Sequence, residues 1–175
     1  MGRRDEITDT ALQVLERDGR EGLTMRAIAQ EMDIQAPSLY KHITDKRELE
    51  VALIARGFAD QADRFERALA DGGGAIEIAY AYRDWAFEHP HLYQLMHSEA
   101  LPRSDLPEGA EDRSVEVVLR AFGGDRILAR AAWAFAHGMV SLAFADRFPP
   151  DADVETTWRV GVTAIADRTQ ERTHA

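Results

Sequence analysis

Cysteine is absent from this sequence of 175 residues, so disulfide bonds and thiolate metal sites are excluded. The first residues turn charged at once and lack the apolar run of a signal peptide. The most apolar stretch, residues 129–145, contains Arg130 and His137 and is short for a membrane span. These absences lead us to expect a cytoplasmic protein.

Basic residues are also in short supply. The chain has 21 lysine and arginine residues against 31 aspartate and glutamate residues, and its formal net charge is −10. The first fifty residues alone hold eight of the former and eleven of the latter. A protein that binds nucleic acid usually presents a basic surface. If this chain binds DNA, its few cations must lie on one face, and the binding must depend strongly on salt.

Strand patterns are missing as well. No alternation of apolar and polar residues is long enough for a β-strand, and no internal repeat is present. Apolar residues recur at three- and four-residue spacing, which predicts an all-α fold. We expect a three-helix, helix-turn-helix domain over residues 1–50, joined by a long helix to an all-helical ligand-binding and dimerisation domain over residues 51–175. Residues 125–148 are apolar on nearly all sides, so we expect a second subunit to cover them.

Capping residues mark the helix boundaries in the first fifty residues. Thr24 is the expected N-cap of the second helix, and a tight break follows at residues 33–34. A third, short helix is predicted over residues 35–42. Asp45, with a glutamate three residues later, has the spacing of a capping box and predicts a long fourth helix over residues 46–70.

Two short helices separated by a tight break predict a helix-turn-helix motif, whose second helix reads base edges in the major groove. The start of the second helix offers backbone N–H groups and a threonine hydroxyl to a phosphate, and three cations are well placed for the DNA backbone. We expect Gln35 to contact a base, because glutamine can pair with adenine. The candidate DNA-contacting residues are Thr24, Arg26, Gln35, Ala36, Ser38, Tyr40, Lys41, His42 and Lys46.

Alternatives remain for several of these residues. Arg26 could instead pair with Gln30 or Glu31 along its own helix. Tyr40 could be a core aromatic residue with only its hydroxyl in water, and Lys41 could be a solvated charge. The sequence alone leaves these readings open.

Three blocks of this region resemble the N-terminal signature of the tetracycline-repressor (TetR) family. They are Thr-Met-Arg-Ala-Ile-Ala at 24–29, Ser-Leu-Tyr-Lys-His-Ile at 38–43 and Asp-Lys-Arg-Glu-Leu at 45–49. The resemblance covers about residues 5–50. It implies that Tyr40 and Lys46 contact phosphates, that the protein is a homodimer with an all-helical ligand domain, and that ligand binding releases it from DNA.

The sequence departs from the family pattern at two positions. The family often has glycine in the turn, where this chain has Asp33, a residue that tolerates a left-handed backbone better than most. The family also often has serine or threonine at the start of the recognition helix, where this chain has Gln35, a poor N-cap.

Aromatic residues gather in the second half of the chain, and we interpret them as an apolar effector pocket. For any single residue, an ordinary place in the core is the competing interpretation. The predicted pocket residues are Tyr82, Trp85, Tyr93, Met96, Trp133 and His137. The segment Trp133–Gly138, preceded by His89–Tyr93, is similar to the C-terminal subclass of the family marked by Trp, His and Gly. Gly138 in a helix suggests close helix packing.

His137 could bind an effector or be a satisfied interior group. His89, His91 and His97 lack the spacing of a chelate on one helix, so we expect no metal. No phosphate-binding glycine loop or nucleophile elbow is present, so we expect neither a cofactor nor an enzyme.

The sequence therefore predicts a DNA-binding repressor that is released from its operator by a small apolar or aromatic effector, with the long fourth helix as the lever between the two sites. One alternative is a constitutive DNA-binding regulator. The other is a helical enzyme that uses His137 with Glu88 or Glu99.

Overall fold

The computed structural model describes the backbone of residues 2–173 and the side chains up to residue 168. This part of the chain is built from nine helices, and it contains no strand. The predicted all-α fold is thereby confirmed. The helices are α1 (Arg3–Gly22), α2 (Met25–Glu31), α3 (Ala36–Leu39), α4 (Lys46–Ala70), α5 (Ala75–Glu88), α6 (Pro90–His97), α7 (Asp112–Ala121), α8 (Arg126–Phe144) and α9 (Val154–Thr173).

Two helices are shorter than the sequence suggested. Helix α3 ends at Leu39 rather than at residue 42, because the chain continues in turns, with the His42 N–H donating to the Leu39 carbonyl at 2.8 Å. Helix α8 ends at Phe144 rather than at residue 148. Asp146 adopts a left-handed conformation with φ of 51°, which stops the helix before the two prolines that seemed to end it.

The helices form two compact units. The first unit comprises residues 2–60 and 89–111, and the second comprises residues 61–88 and 112–173. Helix α4 therefore contributes residues to both units. Helix α6 belongs to the first unit although it follows α5 of the second unit along the chain.

In the first unit, α6 packs on α1 and is capped by it. His89 makes no side-chain cap for α6. The Glu16 carboxylate of α1 supplies that cap, because it accepts hydrogen bonds from the backbone N–H groups of His91 at 3.2 Å and Leu92 at 2.9 Å. Gly57 of α4 allows a further close approach, since a Cβ at this position would collide with the sulfur of Met96. These contacts tie residues 89–111 to the N-terminal helices.

In the second unit, the core lies between α5, α8 and α9. Trp85 and Trp158 are fully buried there. Gly161 allows α9 to meet the ring of Phe135, with which any Cβ would collide. The close packing expected at Gly138 is not found within this chain, because nothing lies within 4 Å of where its Cβ would be. The face of α8 that carries Gly138 is open.

Candidate nucleic-acid interface

The first helix of the predicted motif begins as the sequence indicated. Thr24 has an extended backbone, and its hydroxyl oxygen accepts a hydrogen bond from the Ala27 N–H at 3.1 Å. Ile28 and Ala29 are buried beneath α2, whereas Thr24 and Arg26 are exposed. The predicted N-cap is therefore confirmed, and the polar side of α2 faces solvent.

The turn between α2 and α3 tolerates its aspartate. Asp33 has a φ of 52°, in the left-handed region that glycine favours, and short polar side chains adopt it at modest cost. The Ile34 N–H then donates to the Ala29 carbonyl at 2.9 Å and closes the turn. The departure from glycine at this position therefore leaves the motif intact.

Helix α3 buries one residue in the core of the first unit, and its other residues and those that flank it are exposed or half-buried. Leu39 is fully buried, while Gln35, Ser38, Lys41 and His42 are exposed and Ala36 is half-buried. Gln35 stands at the N-cap position without a side-chain cap hydrogen bond, so its amide is not engaged there.

Tyr40, just after α3, is half exposed at 50%. A tyrosine that packed in the core would be largely buried, so the alternative of a core aromatic residue is wrong. Half of its surface is accessible for contacts outside the chain.

The start of α4 differs in one detail from the expected capping box. The Glu48 N–H donates to the Asp45 carboxylate at 2.8 Å, as predicted. The Glu48 carboxylate, however, accepts from the N–H and the hydroxyl of Thr44, each at 2.7 Å, instead of from the Asp45 N–H. These hydrogen bonds hold the pKa of Glu48 below its ordinary value. The loop before α4 is therefore fixed by two carboxylates, Asp45 and Glu48, of which the second accepts from Thr44 and not from Asp45.

Lys46, at the start of α4, is already engaged. Its ammonium donates to the Arg20 carbonyl at 3.1 Å and lies 4.0 Å from the Glu50 carboxylate. Arg20 itself pairs with Glu50 and with Glu99. A phosphate at this position would share Lys46 with the Arg20–Glu50 pair.

The two remaining cations of the motif, on α2 and just after α3, differ from the other cations of the first unit in their ion pairing. Among the described residues of the first unit, Arg26 and Lys41 are the only cations without a carboxylate partner. Glu31, considered as a partner for Arg26, pairs instead with Arg17 at 3.1 Å, so that alternative is wrong. The cations with carboxylate partners are Arg3, Arg4, Arg17, Arg20, Lys46, Arg47, Arg56 and Arg103.

This pattern resolves the difficulty raised by the acidic composition. Carboxylates neutralise the positive charge of the first unit almost everywhere except on α2 and on the turn after α3. Among the described residues of the first unit, a polyanion therefore meets unpaired positive charge at Arg26 and Lys41, beside the recognition helix.

The six predicted pocket residues are divided between the two units. Tyr93 and Met96 lie on α6 in the first unit, and both are buried. Tyr82 and Trp85 lie buried on α5 in the second unit. Trp133 and His137 lie on α8, which also belongs to the second unit.

Trp133 and His137 stack on each other, with ring centroids 5.6 Å apart and planes 19° from parallel. The Ser141 hydroxyl lies 3.4 Å from His137 Nε2. Burial lowers the pKa of His137 below its ordinary value. Trp133 is half exposed, so this pair lies at the surface of the second unit and not in its interior.

The second unit also contains a cleft that the sequence did not reveal. It is bordered by α5, α8 and α9 and encloses about 260 Å³, including its open mouth. Its lining is apolar except for Arg83 and Glu155. A lone arginine in the aromatic segment 80–87 is the one sequence signal that could have pointed to it.

The histidines near α6 have separate neighbours. His89 Nε2 lies 3.6 Å from Asp60, His91 Nδ1 lies 3.0 Å from the Glu16 carbonyl, and His97 Nδ1 lies 2.8 Å from the Tyr93 carbonyl. Among the residues with described positions, no group of three His, Asp or Glu side chains is arranged to hold a metal ion.

Comparison with known families gives two matches. Residues 7–53 match the model of bacterial regulatory proteins of the tetR family. Residues 75–165 match the model of the tetracyclin repressor-like C-terminal domain. The two matches follow one another along the chain, and the second covers more than half of it.

Individual proteins give the same result. An uncharacterised helix-turn-helix transcriptional regulator of Mycobacterium tuberculosis, Rv0681, is 29% identical over 181 residues, which cover 97% of this chain and 83% of that protein. The chain spans about half the length of several other curated relatives it matches.

Among solved structures, the regulatory protein SCO4313 is similar, with a TM-score of 0.76, 25% identity and coverage of 93% of this chain and 94% of that one. The multidrug-binding protein EbrR, complexed with imidazole, is similar with a TM-score of 0.65, 26% identity and coverage of 94% and 95%.

Proposed function

Because the chain belongs to the tetracycline-repressor family of helix-turn-helix transcriptional regulators, we propose that it is a sequence-specific repressor that a small apolar or aromatic effector releases from its operator. Regulators of this family bind DNA as dimers and bind small-molecule effectors. The observation that carries the DNA-binding part is the unpaired charge of Arg26 and Lys41 beside exposed recognition residues.

The contacts divide into two kinds. The first kind binds phosphates. It comprises Thr24 with the N-terminus of α2, the cations of the motif including Lys46, and Tyr40. The residues on and around α3 that face the groove read bases, and Gln35 takes the role that requires hydrogen bonds to adenine. Ala36, Ser38 and His42 complete that surface.

The dimer forms through α8 and α9. Helix α8 is long and apolar enough to cross a membrane by length and composition, yet only 22% of its apolar window is buried within the chain. Its open face repeats at helical spacing and consists of Ile127, Ala131, Ala134, Gly138 and Leu142. The absence of neighbours at Gly138 supports a close approach by the same helix of a second copy. In a regulator that binds DNA, a partner subunit rather than lipid is the natural cover.

Release from the operator follows from a change in the distance between the two recognition helices of the dimer. Two recognition helices of a dimer must lie about 34–36 Å apart to enter successive major grooves. An effector that binds better to another arrangement weakens DNA binding by its difference in affinity. Residues 1–50 carry the DNA contacts and residues 51–175 the effector and dimer contacts. Helix α4, with residues in both compact units, is the lever.

Three finer assignments accompany this proposal. We propose, from the resemblance of the segment Trp133–Gly138, that the C-terminal domain belongs to the Trp-His-Gly subclass. The six pocket residues named from the sequence stay a prediction. The protein acts in the cytoplasm, where operator DNA lies. The binding of imidazole by EbrR supports a small-molecule site in this fold.

Two alternatives have less support. A constitutive DNA-binding regulator would not need the cleft of the second unit. An enzyme that used His137 would need a nearby free acid. Glu88 instead pairs with Arg64, and Glu99 pairs with Arg20.

Selection of bound sequences from random DNA tests the function directly. We expect one palindromic operator to emerge and the Tyr40→Ala/Lys46→Ala double variant to lose most of its affinity for it while remaining a dimer. Unchanged affinity in that variant would contradict the assignment of these two residues. Screening a broad ligand library for loss of operator binding then tests release, and no active compound would leave the constitutive alternative.

A further inference from the structure

The cleft of the second unit contains a guanidinium held in a fixed position. The Arg83 guanidinium carbon lies 4.6 Å from the centre of the Tyr80 ring and 5.6 Å from that of the Trp158 ring. Burial disfavours its charge, but ion pairs with Asp84 and Glu155 outweigh burial and hold the pKa of Arg83 above its ordinary value. Arg83 is therefore a permanent and preorganised cation.

Two exposed carboxylates pair with Arg83, and one of them, Glu155, also accepts a hydrogen bond from the Tyr80 hydroxyl at 3.1 Å. Nε donates to Asp84 at 3.0 Å and Nη1 donates to Glu155 at 2.6 Å. Both acids are largely exposed, at 51% and 66%, whereas Arg83 is only 24% exposed. Exposed pairs of this kind contribute little to stability. Within the described part of the chain, Nη2 donates to no side chain, so the guanidinium retains free donor capacity.

The lining of the cleft includes a second potential donor. Trp158 lines the cleft and is 2% exposed, and its indole Nε1 has no hydrogen-bond partner. Buried N–H groups are nearly always paired in folded proteins. An acceptor supplied from outside the chain would satisfy this one.

The rest of the cleft is apolar. Phe87, Met139, Val140 and Ala143 form its walls. Because the volume of about 260 Å³ includes open solvent at the mouth, it is an upper limit, and the ligand can be no larger than one aromatic ring with a short acid side chain or an aliphatic acid of similar size.

We propose that this cleft binds a small amphipathic carboxylate, whose apolar part lies on the α5 and α8 side chains and whose carboxylate accepts hydrogen bonds from Arg83 and Trp158, displacing Glu155. Such a ligand gives the guanidinium a planar, bidentate partner. The proposal makes the effector an acid rather than a neutral compound, and this regulatory consequence rests on the proposed function. The site also differs from the pocket predicted from sequence, since none of those six residues lines the cleft.

The test uses phenylacetate as the probe and phenylacetamide as its uncharged analogue, titrated into the full-length protein by calorimetry. We expect phenylacetate to bind at least about 10-fold more tightly than phenylacetamide, because a charged hydrogen bond is lost in the amide. The difference in affinity between the two probes requires no variant and no assumption about folding.

Variants then locate the site. Arg83→Gln should abolish the preference for the acid, Arg83→Lys should restore part of it, and Trp158→Phe should weaken phenylacetate binding about threefold or more while preserving the ring. The matched control is Arg67→Gln, an exposed arginine on α4, which should bind phenylacetate as the unmodified protein does. Trp133→Phe tests the rival site, which is the pocket predicted from the sequence.

Several outcomes would overturn the proposal. These are equal affinity for the two probes, an acid preference that survives Arg83→Gln, or loss of binding in Trp133→Phe but not in Trp158→Phe. Operator affinity is measured separately. Phenylacetate binding through Arg83 without any change in DNA binding would uphold the cleft and refute its role as effector site. Absence of DNA binding altogether would refute the proposed function alone.

Discussion

The two compact units differ in what they leave on their surfaces. Among the described residues, seven large hydrophobic side chains are exposed, and six of them belong to the second unit. These six are Phe87, Val115, Ile127, Trp133, Leu142 and Val160. The seventh is Tyr40, beside the recognition helix. The first unit instead exposes unpaired cations at Arg26 and Lys41.

This difference shows how an acidic chain can serve two kinds of contact. In its described part, the first unit buries most of its large apolar side chains and pairs most of its cations with carboxylates, so the unpaired charge that could attract a polyanion lies on the proposed DNA-binding face. The second unit leaves six large apolar side chains exposed, and such surface on a monomer marks a protein or ligand contact. The proposed dimer would cover part of this surface, whereas the first unit presents charge instead.

The largest effect should come from placing a charge on the open face of α8. Leu142→Glu is expected to convert the dimer to monomers, because two carboxylates would be buried near the symmetry axis without partners. Sedimentation equilibrium measures the change, and DNA binding should fall with it.

Val115→Glu on α7 is the matched control, since Val115 is 47% exposed and Leu142 is 44% exposed. If α8 does not form the dimer although the second unit exposes apolar surface, Leu142→Glu and Val115→Glu will have the same oligomeric state. A Leu142→Glu protein that remains dimeric would show that another surface forms the dimer.

The next effect concerns the unpaired cations of the first unit. Arg26→Ala/Lys41→Ala should weaken operator binding about 100-fold and lower the slope of log affinity against log salt by about 2, because each cation neutralises one phosphate. Fluorescence anisotropy over a salt series gives both quantities.

Arg3→Ala/Arg56→Ala removes the same charge from cations that pair with Glu6 and Asp9. It should change operator affinity much less. Equal losses in both double variants would mean that net charge, and not the placement of unpaired charge, governs binding.

Local signals made the recognition element predictable. Thr24, Asp33 and Asp45 act through hydrogen bonds or backbone angles within a few residues of themselves, and all three do what the sequence indicated. The freedom of Arg26 was not predictable in this way. It depends on Arg17 holding Glu31 across 14 positions, a contact that only the fold creates.

The candidate ligand site was less predictable for the same reason. Aromatic composition could not reveal that α6, with Tyr93 and Met96, belongs to the first unit while the residues on α5 and α8 belong to the second. Nor could it show that Trp158 and Arg83, 75 positions apart, lie beside one another. Burial patterns identify core residues, but which core residues share a cavity is a tertiary property.

A smaller effect tests whether residues 89–111 depend on α1 within the first unit. Glu16→Ala removes the only side-chain cap that the described structure gives α6, and we expect a loss of about 1 kcal/mol in the free energy of unfolding. Hydrogen exchange at His91 and Leu92 should rise at the same time. Glu21→Ala, an exposed glutamate on the same helix, is the control. Equal stability of the two variants would contradict the cap.

The smallest effect is a pH dependence caused by His137 on α8. Burial lowers the pKa of His137 below 6.5, so the unfolded chain binds a proton more readily than the folded one. The titration of His137 therefore leaves the free energy of unfolding unchanged above pH 6.5. It lowers that free energy as the pH falls from 6.5 through the folded-state pKa.

His137→Gln should remove the part of this loss that His137 causes between pH 7.5 and about pH 5.5. Urea unfolding of both proteins at the two pH values measures it, with His42→Gln, an exposed histidine of the first unit, as the control. Because a partner subunit would bury His137 further, the difference should grow with protein concentration. Identical pH dependence in the unmodified protein and His137→Gln would mean that this histidine stays hydrated, and α8 would then lack the cover that distinguishes the second unit from the first.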